Sequence, residues 1–247
     1  MQKNWQRLST DAELRRKLLL RAKVLAGVRQ FFKQAGFHEV ETPLLVKSPG
    51  TEPELEVFAT ELKHTSGASQ PAYLLTSPEY AMKKLVVAGL GNIFQLCKSF
   101  RNQESWGGSH NPEFTILEWY RTPADYTDVM TDCENLLSFL AQQIQGQQGL
   151  QLHFQGRTYD LRPPYPRFTV AELFERYLQV SSEELLDRQA LAKIAAAKGL
   201  QVRTTTSWDD LFYQLFLNFI EPALAKSQQP VFVYDYPAQQ AALSKKK

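Results

Sequence analysis

Apolar positions near the start of the chain recur at helical spacing and then change to the pattern of a strand. Between Asp11 and about Ala35 they fall at steps of one, three or four, which places them on one stripe: Leu18, Leu19, Ala22, Leu25, Val28, Phe31 and Phe32. This spacing predicts a long helix. Gly36 predicts its end, and Phe37–Glu41 predicts a short strand that stops at Pro43.

Two later β-prone runs frame a polar segment. Ile93–Phe100 and Phe114–Tyr120 are rich in residues that favour strands, and Arg101–Glu113 between them is too long for a tight turn. Loops of that length in a compact domain are usually functional or disordered. The pattern therefore predicts a strand, a long loop and a returning strand.

Strand alternation places the chemistry of these two runs on one face. Residues two apart on a strand share a face, so Arg101 groups with Ser99, Cys97 and Gln95 on the first run. On the second run, Phe114, Ile116, Glu118 and Tyr120 share a face. A guanidinium, an aromatic ring, a carboxylate and a phenol then face one cleft. The alternative is an ordinary solvated hairpin whose charges face water.

The rest of the chain combines predicted helices and predicted strands. The predicted elements are a strand through Val57 and Phe58, a helix after Pro78, a helix over Tyr126–Gln145, a hairpin around Gly156, helices opened by capping boxes at Thr169 and Ser207, surface helices over Ser181–Gly199, and a strand over Val231–Tyr234. We expect one domain over 1–247, with a helical insertion at about 168–221.

Composition narrows the class of function. The chain has 247 residues, of which 43% are hydrophobic, and a net charge of +2, so it lacks the basic excess of a general nucleic-acid binder. Cys97 and Cys133 form neither a disulfide framework nor a metal-ligand spacing. No apolar run is long enough to cross a bilayer, and the N-terminus is polar. We therefore expect a cytoplasmic protein without a membrane partner.

Two peptides carry a resemblance to a known family. FRNQE at 100–104 and HNPEFTILEWY at 110–120 closely resemble motif 2 of the class II aminoacyl-tRNA synthetases in its lysyl form. RAKVLAGVRQFFKQAGFHEVETP at 21–43 resembles motif 1, which in that family forms the dimer interface. The resemblance implies the α+β class, with an antiparallel sheet flanked by helices, and a homodimer formed through the motif 1 helix. A plain helix–strand unit of a monomer is the alternative for motif 1.

Within that family the sequence looks most like the lysyl-tRNA synthetase paralogues that attach a lysine derivative to elongation factor P. LLTSPEYAMKKLVVAG at 74–89 is similar to their amino-acid-binding segment, where TSPE stands in place of the APE usual in lysyl-tRNA synthetases. The motif 1 helix begins within about 20 residues of Met1, so we expect no anticodon-binding domain. Both features favour the paralogue and argue against tRNA as a partner.

The resemblance also implies roles for individual residues. Arg101 is the expected catalytic residue, on the α-phosphate of ATP. The implied ATP-binding residues are Arg101, Asn102, Gln103, His110, Asn111 and Phe114, and the implied substrate-binding residues are Ser77, Pro78, Glu79, Glu118 and Tyr120. The alternatives are a purely helix-opening role for Glu79 and core packing for Phe114 and Tyr120. The expected cofactors are ATP and Mg²⁺, the latter without ligands in this sequence.

Three departures from the family pattern accompany the match. Gln103 stands where the family usually has Glu, and the loop is one residue longer than usual and lacks a basic residue just before His110. After a strand like VFVYDYP at 231–237 the family continues to further strands and a glycine-rich motif 3, which we do not find before Lys247. We therefore expect an incomplete sheet.

These observations lead to one expectation and two alternatives. We expect an ATP-dependent ligase that activates lysine or (R)-β-lysine as an adenylate and transfers it to a lysine of elongation factor P. The first alternative is an inactive, truncated relative or a binding remnant. The second is a lysyl-tRNA synthetase.

Overall fold

The chain divides into two compact units in this computed structural model. Residues 4–50, 52, 55–104, 110–145, 149–241 and 243–245 are described. The first unit is Met1–Asp132 and the second is Cys133–Lys247. The expectation of a single domain with a helical insertion stays a prediction, and each unit is described by itself below.

The first unit combines two small sheets with helices. Its elements in chain order are α1 (Asn4–Arg7), α2 (Ala12–Gln34), β1 (His38–Glu39), β2 (Leu45–Val46), β3 (Phe58–Lys63), β4 (Ser69–Leu74), α3 (Glu79–Val87), β5 (Ile93–Phe100), β6 (Glu113–Tyr120) and the start of α4 (Tyr126–Gln145). With the antiparallel pairs described below, these elements confirm the expected class of antiparallel sheets flanked by helices.

Both ends of α2 are specified by local sequence. Asp11 is the N-cap residue, and its Oδ1 accepts a hydrogen bond of 2.9 Å from the backbone N of Leu14. At the other end Gly36 has φ +80°, and the N–H of Phe37 donates to the carbonyl of Phe32 over 2.9 Å. The predicted helix is thus confirmed. The strand after it is shorter than predicted, since only His38 and Glu39 pair with β5.

The strands β5 and β6 form a long antiparallel pair, with β1 parallel to β5 on the other side. The register sets Gln95 opposite Glu118 and Ser99 opposite Phe114. The helix α2 packs on the reverse face through Phe32, whose ring centroid lies 4.9 Å from that of Phe94 and 5.4 Å from that of Trp119. The two predicted strands are confirmed, and one face of the pair belongs to the core.

A second antiparallel sheet has the order β2-β4-β3. The polar, glycine-containing segment 64–71, which predicts a turn or a mobile loop, turns between His64 and Ala68, but β4 already begins at Ser69 and contains Pro71. Pro71 pairs with Glu61 of β3. On the opposite side of β4, the strand β2 pairs only with Tyr73 and Leu74 and does not reach Pro71. At Pro71, β4 therefore has a ladder on one side alone, where a missing N–H is acceptable.

The second unit holds the remainder of α4 and most of the predicted helices. Its other elements are β7 (Gln151–Phe154), β8 (Arg157–Asp160), β9 (Arg167–Thr169), α5 (Val170–Leu178), α6 (Ser182–Leu186), α7 (Arg188–Ala197), α8 (Trp208–Leu215), α9 (Glu221–Leu224) and β10 (Phe232–Tyr234). Capping boxes open α5 at Thr169 and α8 at Ser207, as predicted. The hairpin β7–β8 turns at Gly156, whose φ is +75°.

The helices of this unit enclose their own apolar core. It contains Val170, Leu173, Phe174, Leu178, Val180, Leu185, Leu191, Ala195, Leu211, Phe212, Leu215 and Ile220. The prediction that 181–199 forms surface helices was incomplete, because Leu185, Leu191 and Ala195 are fully packed in this core. After α8 the chain widens into a π-helical turn at Phe216–Ile220, which the capping pattern does not predict.

Candidate active site

The loop predicted to carry the nucleotide chemistry is closed at its base by a backbone hydrogen bond. The backbone N of Arg101 donates to the carbonyl of Pro112 over 3.0 Å, directly after β5 and before β6. Residues 105–109, which form the tip of the predicted loop, lie outside the described residues. This hydrogen bond fixes the position at which Arg101 leaves the sheet.

The guanidinium of Arg101 lies against the aromatic ring of Phe114. Its central carbon is 5.1 Å from the ring centroid, within the range of a cation–π contact. Nε of Arg101 is buried and makes no hydrogen bond within the described part of the chain. A buried cationic donor without an acceptor favours an anion. The arrangement therefore fits a ligand that carries both a negative group and a flat ring.

Asn102 and Gln103 form a tight turn beside Arg101. The backbone N of Asn102 donates to the carbonyl of Glu56 over 2.8 Å, and its own Oδ1 accepts from the N of Gln103 over 3.0 Å. Gln103 has φ +54°, an αL conformation that its backbone adopts in this turn. Both side chains are exposed. In this geometry Asn102 and Gln103 determine the shape of the turn that follows Arg101.

The far side of the loop presents His110 and Asn111, both exposed. Nδ1 of His110 lies 2.9 Å from Oε2 of Glu104, which joins the two ends of the loop. His110 can bind an anion only if its contact with the carboxylate of Glu104 breaks, or if the imidazole contacts the carboxylate and the anion together. The sequence does not predict this pairing, because Glu104 and His110 stand at opposite ends of the loop.

Three of the residues predicted to bind the amino acid, Ser77, Pro78 and Glu79, lie at the start of α3. Glu79 is the first residue of that helix, and its backbone N donates to Oγ of Ser77 over 3.2 Å, while Pro78 occupies the N-cap position. The carboxylate of Glu79 is also engaged, with Nζ of Lys83 only 2.6 Å from its Oε1. Lys83 is thus a member of this group, although the resemblance implies no role for it.

Glu118 and Tyr120 project from β6 on the face opposite Trp119. The phenol of Tyr120 donates to Oε1 of Glu118 over 2.9 Å. Burial raises the pKa of Glu118 and Glu79 raises it further, whereas the hydrogen bond from Tyr120 and the charge of Lys83 lower it. Burial, followed by the neighbouring Glu118, also raises the pKa of Tyr120. The phenol therefore remains a donor, and the half-buried carboxylate favours a cationic ligand.

The neighbouring strand β5 contributes further side chains beside Glu118. Oε1 of the buried Gln95 accepts from Oγ1 of Thr42 over 3.0 Å, and Gln95 stands opposite Glu118 in the register. Burial raises the pKa of the Cys97 thiol, which keeps the sulfur protonated and argues against a nucleophile. Thr42 and Gln95 were not predicted as site residues, although Gln95 shared the face assigned to Arg101.

The sequence-predicted residues therefore form two groups on the first unit. Arg101 and Phe114 make one, and Glu79, Glu118 and Tyr120 make the other, with Phe114 and Glu118 on the same face of β6. A sequence model of the family tRNA synthetases class II (D, K and N) matches residues 1–247. The chain belongs to this family. Membership places it among ATP-dependent aminoacyl ligases in general.

Family membership also implies ATP and Mg²⁺, which the described side chains accommodate to different degrees. The unpaired Nε of Arg101 and the ring of Phe114 fit a nucleotide phosphate and base. Within the described ranges no three His, Cys, Asp or Glu side chains form a group suited to a metal ion. Nor does any helix in that part of the chain have the length and apolar character needed to span a bilayer.

Proposed function

We propose that this member of the family activates lysine or (R)-β-lysine with ATP and transfers it to a lysine side chain of elongation factor P. The observation that carries the proposal is the grouping of two carboxylates, Glu79 and Glu118, with the phenol of Tyr120. This group shares a sheet face with Phe114, over which Arg101 lies. A diamino acid and a nucleotide phosphate are the ligands that such a pair of groups matches.

In the activation step the carboxylate of the amino acid attacks the α-phosphorus of ATP, and pyrophosphate leaves. The protein must hold two anions together and stabilise the charge that develops on phosphorus. Arg101 suits this task because its planar fork donates paired hydrogen bonds to phosphate oxygens. Phe114 offers a flat face to adenine, and His110 and Asn111 extend from the loop toward the outer phosphates or the ribose.

Recognition of the amino acid is assigned to the acidic group, which consists of Glu79, Glu118 and Tyr120. By resemblance to the family, Glu79 receives the α-ammonium group and Glu118 the side-chain ammonium group. Burial of Glu118 strengthens its interaction with a bound cation, because the local dielectric is lower than that of water. Tyr120 orients this carboxylate through its hydrogen bond of 2.9 Å. Ser77 and Pro78 shape the turn that brings Glu79 to the start of α3.

The choice of elongation factor P rests on the resemblance of the TSPE peptide at 76–79 to the paralogues that modify this factor. The experiment is incubation of the protein with ATP, (R)-β-lysine or lysine, and elongation factor P, followed by intact mass measurement of the factor. The expected result is a mass increase of one aminoacyl group that depends on ATP. Unmodified factor, with a positive control enzyme active in the same mixture, would refute the proposal.

The family description also covers lysine-specific tRNA synthetases, which makes lysyl-tRNA synthesis the second candidate. A parallel reaction with bulk tRNA separates the two, since lysylated tRNA with unmodified factor supports this candidate. Binding of ATP and lysine by calorimetry, without product in either reaction, would instead identify the chain as a binding remnant.

We propose further that the protein is a homodimer formed through α2. On this helix Leu18 and Leu19 are 46% and 60% exposed, although both belong to the apolar stripe of the sequence. Exposed neighbouring leucines favour burial against a second copy. Light scattering of the wild type and of Leu19→Glu tests this, with a dimer expected for the first and a monomer for the second. A monomeric wild type would overturn it.

A further inference from the structure

Lys83 interacts with both carboxylates of the acidic group, Glu79 and Glu118. It lies one turn after Glu79 on α3, its Nζ is 2.6 Å from Oε1 of Glu79, and its charge acts on Glu118. The side chains of Lys83 and Glu79 are 42% and 23% exposed, respectively. Lys84, the next residue, is exposed on the same helix. The two lysines therefore provide a matched pair with different surroundings.

The groups that face Glu118 come from three elements. They are Glu79 and Lys83 of α3, the phenol of Tyr120 on β6 and the thiol of Cys97 on β5. Both the phenol and the thiol have raised pKa values and stay neutral. Among these described groups the formal charges are two carboxylates and one ammonium, so the group as a whole carries a single negative charge.

We propose that Lys83 is a specificity-determining residue that sets the charge of this pocket so that it selects a diamino acid over a diamine. The inference rests on the proposed function and deepens it. A diamino acid carries two ammonium groups and one carboxylate, hence a single net positive charge, which balances the pocket. A diamine lacks the carboxylate and carries two positive charges, of which the single negative charge of the group balances only one.

The physical reason is the cost of unbalanced charge in a partly buried site. A ligand whose charge matches the pocket leaves no group desolvated without a counter-charge. Without Lys83, the same two carboxylates would balance a diamine better, and the carboxylate of an amino acid would meet a more negative field. The preference for the diamino acid is therefore expected to weaken when the ammonium of Lys83 is removed, because the charge of the group changes while the fold is retained.

The test is a calorimetric titration of the wild type and of Lys83→Met with lysine and with cadaverine, which is lysine without its carboxylate. In Lys83→Met the affinity for cadaverine relative to lysine should rise about tenfold, as expected for loss of one screened charge at a partly exposed site. Lys83→Arg should keep the wild-type ratio, because it keeps the charge. Lys84→Met should keep it as well, because that lysine lies outside the acidic group.

The pH dependence of lysine binding gives a second readout that a merely structural role would not move. Lys83 lowers the pKa of Glu118, so the pH at which lysine binding is half lost should move upward in Lys83→Met. Circular dichroism of each variant checks that the fold is retained.

Each result has one meaning. A cadaverine-to-lysine ratio that is unchanged in Lys83→Met, or that changes equally in Lys84→Met, overturns this role and leaves the proposed function standing. Absence of lysine binding by the wild type overturns the proposed function and this role together. A raised ratio that Lys83→Arg restores supports the role.

Discussion

The guanidinium carbon of Arg101 lies 5.1 Å from the ring centroid of Phe114, across the mouth of the loop between β5 and β6. The contact orients a cation whose Nε is buried and makes no hydrogen bond to the described residues. Phe114 thus serves as a platform for the arginine. In the function proposed above its ring also offers a flat surface to adenine, so both roles depend on the same ring.

Arg101→Ala should reduce adenylation about a hundredfold to a thousandfold while preserving the fold. In the proposed function this side chain donates hydrogen bonds to the phosphate on which charge develops. ATP–pyrophosphate exchange dependent on lysine is the measurement. Arg203→Ala is the matched control, since Arg203 is exposed on the second unit. Exchange at the wild-type rate in Arg101→Ala would remove this residue from the phosphate role.

Binding of lysine should depend on the protonation of Glu118. Burial raises the pKa of this carboxyl group, so it takes up a proton at a higher pH than an ordinary glutamate does. Lysine binding is then complete above the raised pKa and weakens as the pH falls through it. The hydrogen bond from Tyr120 lowers this pKa, so Tyr120→Phe should lose lysine at a still higher pH.

A titration of lysine affinity from neutral to acidic pH measures this shift. Tyr213→Phe serves as the control, because Tyr213 is 49% exposed and lies in the second unit. Identical pH midpoints for the wild type and Tyr120→Phe would contradict a coupling between the phenol and the carboxylate.

The sequence predicted those elements whose ends are set by local chemistry. Asp11 and Gly36 define α2, and the capping boxes at Thr169 and Ser207 define α5 and α8, because each acts within a few residues of itself. Alternation placed Phe114 and Glu118 on one face, which depends only on the period of a strand. These features require no knowledge of the tertiary fold.

Other features depend on contacts between distant segments, and a local pattern does not contain them. The sequence assigns no role to Lys83, because its surroundings include Glu118, 35 positions later in the sequence. The pairing of Thr42 with Gln95 joins β5 to the segment after β1 in the same manner. Pro71 lies inside β4 because one side of that strand is unpaired there, which only the strand order shows.

Arg121→Met should destabilise the first unit through the loss of a buried ion pair. Nε and Nη2 of Arg121 donate to both carboxylate oxygens of Asp132 over 3.0 and 2.6 Å, and the side chain of Asp132 is 6% exposed. Removal of the arginine leaves this carboxylate buried without its partner, at a cost of about 3 kcal/mol. Urea denaturation measures the change. Arg16→Met, which breaks the exposed pair with Glu13, should leave the midpoint in place, and equal effects would contradict the prediction.

Phe32→Ala should destabilise the protein more than any surface change on the same helix. Phe32 is fully buried and its ring contacts those of Phe37, Phe94 and Trp119, which join α2 to the reverse face of the sheet. Truncation leaves a cavity at this contact and should cost about 3–5 kcal/mol of unfolding free energy. Chemical denaturation compared with Leu18→Ala, whose side chain is 46% exposed, gives the measurement. A loss in Phe32→Ala no larger than in Leu18→Ala would show that α2 does not pack on this sheet through Phe32.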